Sequence, residues 1–274
     1  MSRFPNIWQA ILLVAALSVC DGVLGGALGF TLGIAGVSAP LWVQLLPVKL
    51  VSTGLVLALG TRFSGLRLSQ VLALRPVSAL IWIPISVLVV GLTIVLSEID
   101  NATRYFLPMP IWLLELFIRI SQESWLGGFV LLAMLAPITE EPVFRGLILR
   151  GFLARYSAPV ALFGSALLFG LAHANPWQLA SGLIVGLLLG WLYYRTGSLW
   201  PCLFTHALFN GLPHVVAPLL PPIQGFTTDP RLPVQFQPLW LDMAGLAFTL
   251  VGFVLLLGVL GGQRGASSEA SASL

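Results

Sequence analysis

An all-α fold, a polytopic transmembrane helical bundle of about eight spans, is what this sequence predicts, and three observations predict it. Of the 274 residues, 58% are hydrophobic and only 8% are charged, against roughly 25% charged in a soluble domain. Mean hydropathy is +0.97, so there are too few charges to cover a water-facing surface of this size. Apolar segments of about 20 residues, the length that crosses a bilayer, recur between short polar connectors. The bundle is expected to occupy residues 1–262 as one domain, followed by a Ser-, Ala- and Gly-rich tail, 263–274, expected to be disordered.

In chain order the expected spans are 7–33, 41–60, 78–97, 127–150, 157–175, 177–194, 198–216 and 237–261. The first is too long for the apolar core of a cleaved signal peptide and carries Asp21, so it reads as a retained span. Ile111 to Gln122 differs from the spans. Its leucines, Phe117 and Ile120 oppose Glu115, Arg119 and Gln122, the pattern of a helix lying on the bilayer, with Glu115 and Arg119 spaced for an i,i+4 pair. The Pro-rich stretch from Pro218 to Pro238 reads as an extramembrane loop. Cys20 and Cys202 lie in apolar segments and read as small core residues rather than a disulfide.

Charge placement orients the bundle. Arg3, Arg62, Arg67, Arg75, Arg150, Arg155, Arg195 and Arg264 fall on one face together with both termini. The other face receives Arg104, Arg119 and Arg231 among several acids. Positive charge is retained inside, so both termini are expected in the cytoplasm, in a bacterial inner membrane given the excess of Arg over Lys. The net charge of +3 is scattered through connectors, which speaks against nucleic-acid binding. Membrane lipid is the expected surrounding, and the oligomeric state is not encoded legibly. No internal repeat is evident, which counts against an inverted-repeat transporter.

Glu140 and Glu141, followed by Arg145, interrupt one of the most apolar stretches. A carboxylate in hydrocarbon costs several kcal/mol and therefore has a partner or a job. Glu141 and Arg145 share a helix face at i,i+4. Glu140 points about 100° away and is left free to act on something else. Pro137 and Pro142 flank the pair; each removes a backbone hydrogen bond, opens the helix and frees carbonyls beside the acids. Further on, Phe169 and His173 share a face, as do His206 and Asn210. The last two can aim donors of the kind that stabilise an oxyanion at one point of the bundle interior. Each signal has a bland alternative: an ion cluster joining helices, an interfacial histidine, or interhelical hydrogen bonds. Together they supply a base, a charge partner, a water-orienting group and oxyanion donors. Hydrolysis of a peptide bond by activated water uses all four.

At these residues the chain resembles the CAAX-protease and bacteriocin-processing family of intramembrane glutamic endopeptidases, also called the Abi family. Its marks are Glu-Glu-x-x-x-Arg, Phe-x-x-x-His and His-x-x-x-Asn, met here as Glu140-Glu141…Arg145, Phe169…His173 and His206…Asn210. The resemblance covers about residues 125–215. It implies a membrane-embedded, water-filled active-site cavity. In it Glu140 acts as general base on a water held with the help of His173. His206 and Asn210 stabilise the oxyanion, and Glu141 with Arg145 holds Glu140 in place. The implied substrate is a peptide or membrane-associated protein: a prenylated CAAX-type tail, a signalling peptide or a bacteriocin precursor. One tension remains, because Glu140 and His206 fall mid-span whereas His173 falls near the outer end of its segment.

Three other readings stay in view. Glu140, Glu141, His173 and His206 are ordinary zinc ligands, but no histidine pair has the i,i+4 spacing of zinc proteases, so no cofactor is expected. Asp21, Lys49, Glu140 and Arg145 could line an ion or proton path, although a mutual ion pair, or snorkelling towards an interface, is the favoured account of the first two. A non-catalytic immunity or scaffold protein would need none of this chemistry.

Overall fold

The computed structural model describes residues 4–121 and 124–272, with side chains described up to residue 261 except at 121 and 217. The described residues form helices and connectors. α1 (Ile7–Ile34) starts from a reciprocal cap: the Gln9 N–H donates to the Asn6 side chain at 2.9 Å, and the Asn6 N–H donates to the Gln9 side chain at 2.8 Å. α2 (Leu41–Ser64) ends at Gly65, whose φ of 68° suits a residue without a Cβ. A short α3 (Leu68–Leu72) leads into α4 (Trp82–Phe106), α5 (Ile111–Ser121) and the long α6 (Trp125–Leu153). α7 (Ala158–Leu171), α8 (Leu179–Thr196), α9 (Trp200–Val216) and α10 (Leu239–Ala272) complete the order.

Six helices among the described residues are long and apolar enough to cross a membrane: α1, α2, α4 with the turn before it, α6, α8 and Leu239–Gly261 of α10. The expected count of about eight is corrected by α7 and α9. α7 has 14 residues, a rise of roughly 21 Å at 1.5 Å per residue, against a hydrocarbon core of about 30 Å. α9 has 17 residues and carries Pro213 near its end. α7 ends at the turn that leads to α8, and α9 ends before the Pro-rich connector.

α4 and α6 are the most buried of the spans, while α1 and α10 leave most of their surface exposed. The core between them gathers Ile85, Phe144, Ile148, Leu149, Phe152, Leu189, Leu192 and Leu199, each essentially fully buried. Cys202 lies in this core and Cys20 on the partly exposed α1, both as free thiols. α4 runs on to Phe106, beyond the expected end at 97, because its last turns hold the Pro-rich connector. Asn101 Nδ2 donates to the Gly225 carbonyl at 2.6 Å, Arg104 Nη2 to the Pro230 carbonyl at 2.8 Å, and the Gln237 N–H to Glu98 Oε2 at 3.0 Å. α5 buries Leu113 and Ile118 and exposes Trp112 and Leu116. Glu115 and Arg119 make no ion pair among the described residues. Gln122 lies outside the described residues, and the expected tail from 263 outside those with described side chains.

α10 is held by its closeness to α4. A Cβ added at Gly252 would run into the backbone of Leu88, a contact that no side-chain rotation relieves. Gly258 on the same helix has nothing within 4 Å. Gly252→Val should therefore lower the melting temperature in detergent, with overpacking costing about 1–3 kcal/mol. Gly258→Val should leave it unchanged, so equal melting of the two variants would show that the α4–α10 crossing does not depend on that glycine.

Candidate active site

The site is built around a guanidinium with no exposure at all. Arg145, on α6, donates from Nη1 to Glu141 Oε1 at 2.9 Å and from Nη2 to the Gly186 carbonyl of α8 at 3.0 Å. Its carbon centre lies 4.5 Å from the centroid of the Phe169 ring on α7. The contact with Gly186 exists because α7 and α8 cross almost backbone to backbone. A Cβ at Gly186 would stand 3.0 Å from Ala166 Cα, and one at Gly182 would stand 2.8 Å from Gly170 Cα.

Glu141, fully buried, is shared. The Oε1 that accepts from Arg145 lies 2.7 Å from His206 Nδ1 on α9. An ionised Glu141 accepts at that atom, so the Nδ1–H of His206 donates to it and Nε2 faces the other way. It stands 3.9 Å from Glu140 Oε2. The structure thus gives Glu141 and Arg145 a different charge from the one the resemblance implied: the group they orient directly is His206. Glu140 is the partly exposed member of the pair, with 22% of its side chain accessible against none for Glu141.

The prolines act on α6 as its sequence predicts. Val130–Leu135 and Pro142–Leu149 are wound as π-helix, and Ala136–Glu141 between them as α-helix. The Ala136 N–H reaches back five residues to the Leu131 carbonyl. The next donor in that register would come from residue 137, which is proline and has none, so the Leu132 carbonyl is left over. Asn210 Nδ2 donates to it at 3.2 Å. The missing backbone donor has thereby become the anchor of a candidate oxyanion group.

His173 lies beyond the end of α7, and this resolves the mismatch in depth. The helix stops at Leu171, and the chain turns through Ala174, a non-glycine residue at φ 53°. The Asn175 side chain holds the turn by donating to the His173 carbonyl at 2.9 Å and accepting from the Gln178 N–H at 2.9 Å. His173 Nδ1 lies 2.9 Å from the Phe169 carbonyl, so it carries the proton and Nε2 is left as an acceptor. Phe169 meets the rings of both histidines edge-on, with centroids 5.3 Å from His173 and 5.6 Å from His206.

Glu140, His173, His206 and Asn210 line one cavity of about 330 Å³. Arg145 and Glu141 stand behind its wall. Thr139, Gln178 and Lys49 also line it, among Leu45, Ile120, Leu131, Leu132, Leu135 and Ala136. Thr139 and Gln178 were not singled out from sequence, and only their adjacency to Glu140 and His173 could have flagged them. Lys49 makes the expected pair with Asp21, at 2.7 Å. The lining residues run from the start of α2 and the α7–α8 turn to the middle of α6 and α9. Among the described residues no three His, Cys, Asp or Glu side chains come together in a way that could hold a metal ion.

Fold and site together define a polytopic helical membrane protein with a polar hydrolase-like constellation at the wall of an internal cavity. Residues 122–212 match the family described as Rce1-like, type II CAAX prenyl endopeptidase Rce1-like. That Rce1-like segment holds all six candidate residues, Glu140, Glu141, Arg145, His173, His206 and Asn210. Among curated proteins the chain is similar to CAAX prenyl protease 2 of Arabidopsis thaliana, 36% identical over 107 residues, which are 31% of this chain and 34% of that protein. It is also similar to YdiL of Bacillus subtilis (strain 168), named provisionally as a membrane peptidase, 28% identical over 103 residues, 38% of this chain and 41% of that protein. The chain spans about a third to two-fifths of the length of these relatives. No solved structure matches.

The arrangement separates two acids that are neighbours in sequence. Arg145→Met should strand Glu141 as an unpaired buried charge and cost about 3–5 kcal/mol. Glu140→Gln, at the cavity surface, should stay within about 0.5 kcal/mol of the parent. Thermal melts of the purified proteins check this, and a Glu140→Gln protein as unstable as Arg145→Met would contradict the division of roles.

Proposed function

We propose that this protein is a membrane endopeptidase that hydrolyses peptide bonds with a water activated by Glu140. The observation that carries the reading is the asymmetry of the acid pair. Glu141 is locked between Arg145 and His206, while Glu140 faces a cavity shared with His173, His206 and Asn210. The Rce1-like match over the same residues supports it.

In the proposed reaction a water in the cavity donates a hydrogen bond to His173 Nε2 and gives its proton to Glu140. The resulting hydroxide attacks the substrate carbonyl carbon, and the carbonyl oxygen becomes an oxyanion. Asn210 has a second amide N–H beyond the one given to Leu132, and it donates to that oxygen. His206 donates from Nε2 while its Nδ1–H is held by Glu141, so in this step both ring nitrogens carry a proton. Glu140 then returns its proton to the leaving nitrogen as the C–N bond breaks, releasing an amine and a carboxylate. No step calls for a metal or cofactor.

The proposed substrates are membrane-associated: prenylated CAAX-type tails, signalling peptides or bacteriocin precursors. An almost wholly apolar groove of about 500 Å³, lined by Trp82, Met134, Ile138, Trp200 and Phe204, supports a lipid-anchored or membrane-embedded one. The proposed location is a bacterial cytoplasmic membrane with both termini cytoplasmic, on the charge bias of the connectors.

Two experiments test these readings. Protein termini are compared by mass spectrometry in membranes from cells carrying the parent, Glu140→Gln or neither, at equal expression. Losing the base should lower turnover at least about 100-fold, so cleavage sites should be seen only with the parent. Identical termini with a phenotype that survives the mutation would favour the scaffold reading, and a phenotype lost with it would favour an ion path. For orientation, a cysteine placed at Thr228 should react in intact spheroplasts with a membrane-impermeant maleimide, and one placed at Ser157 should not. The reverse pattern would invert the proposed topology.

A further inference from the structure

We propose that the junction between α4 and the start of α10 is a binding site for a divalent cation of the calcium class, held by the carboxylates of Glu98 and Asp242 and the amide oxygen of Gln237. All three residues lie outside the Rce1-like segment and outside the cavity of Glu140, and no step of the proposed hydrolysis uses them.

The seam between the two helices fixes where these groups fall. α4 and α10 run antiparallel with their backbones in close approach: Gly252 lies against Leu88, Gly91 against Thr249 and Gly245 against Ile94. One more turn in the same register sets Asp242, in the first turn of α10, opposite Glu98, and the charge of Glu98 bears on it. Gln237, next to last in the Pro-rich connector, is wedged against the same stretch of α4. Its N–H donates to Glu98 Oε2 at 3.0 Å and its Nε2 donates to the Ile94 carbonyl at 3.3 Å. Ile94 and Glu98 are i,i+4, so the connector, α10 and α4 meet on one helix face.

This junction collects oxygen acceptors without the donors to match. Asp242 Oδ1 and Gln237 Oε1 are both closed to solvent and accept no hydrogen bond among the described residues. Gln237 as a whole is only 7% exposed. With its Nε2 turned to Ile94, its oxygen is left on the other side of the amide. Neither Glu98 nor Asp242 makes an ion pair among the described residues. The dipole of α10 accounts for an acid in its first turn, but it leaves Asp242 Oδ1 and Gln237 Oε1 unmatched. A proton shared between the two carboxyl groups would serve them and still leave the Gln237 oxygen orphaned. A cation meets all three oxygens and offsets both charges. Carboxylate and amide oxygens are hard donors that suit calcium, which accepts irregular geometry and completes its shell with water. The set contains none of the His or Cys ligands of zinc sites. Bound there, the ion would clamp the end of the connector and the start of α10 to α4.

The test uses the full chain, purified in nanodiscs of zwitterionic lipid, stripped with EGTA and titrated with calcium chloride. Calorimetric titration should show one saturable site. The melting temperature should rise by roughly 3 °C or more at about ten times Kd. Asp242→Asn removes one of two facing negative charges, so in EGTA it should melt no lower than the parent, and calcium should leave its melting temperature unchanged. Asp100→Asn, which changes an acid of α4 outside the site, should keep the full shift. Glu140→Gln should bind calcium as the parent does, so the result is independent of the hydrolase reading. A parent that neither binds calcium nor melts higher with it would overturn the site, as would a shift that survives Asp242→Asn. Stabilisation of the parent by acid instead of calcium, lost in Asp242→Asn, would assign the junction to a shared proton and overturn the cation site.

Discussion

A charged guanidinium with no exposure costs several kcal/mol unless it is paired, and the partners of the Arg145 Nη1 and Nη2 groups organise the rest of the site, while its Nε–H has no partner among the described residues. Glu141 comes from its own helix, the Gly186 carbonyl from α8 and the Phe169 ring from α7. Through Glu141 the same charge reaches His206 on α9. Four helices are thus tied at one point, and each of the groups that could touch a substrate hangs from one of them. The helices can be short, as α7 and α9 are, because their placement does not rest on spanning the bilayer alone.

A second constraint acts through what the backbone lacks. Proline within a helix leaves a carbonyl unpaired, and in a bilayer such a carbonyl must find another donor. At Pro137 the deficit falls on Leu132, and Asn210 meets it. The same event accompanies the π-wound turn Val130–Leu135, so that local defect and the anchoring of Asn210 have one cause. The α7–α8 turn follows a similar logic. Ala174 adopts a conformation that non-glycine residues rarely take, held by Asn175, and His173 is brought to the depth of Glu140 as a result.

How much of this was legible in the sequence follows from range. The helices, the i,i+4 pair of Glu141 with Arg145, the divergence of Glu140 and the effect of the prolines depend on neighbours within a few residues, and periodicity exposes them. The His206–Glu141 contact spans 65 positions and the Arg145–Gly186 contact 41; nothing local encodes either. For that reason spacing alone paired Glu141 with Arg145 but could not show its contact with His206. The six helices long enough to span are slightly fewer than the about eight expected, for a related reason. Hydropathy marks α7 and α9 as apolar but does not register that α7 ends inside the bundle, since residues turned toward a protein cavity and residues turned toward lipid are both apolar by composition.

The charges of the cavity also balance in a way that makes chemistry feasible there. Arg145 offsets Glu141 and Lys49 offsets Asp21, each within 3 Å. Glu140 has no Lys or Arg partner among the described residues, its closest ionic contact being His206 Nε2 at 3.9 Å. A carboxylate in this position exchanges a proton without breaking a structural ion pair, because the pairs that hold the helices together are complete without it. Glu141 could not take that role: protonating it would leave Arg145 buried and unpaired. Of two adjacent glutamates, the fold therefore locks one in a buried ion pair and leaves the other at the cavity wall, the place that the proposed reaction asks of its base.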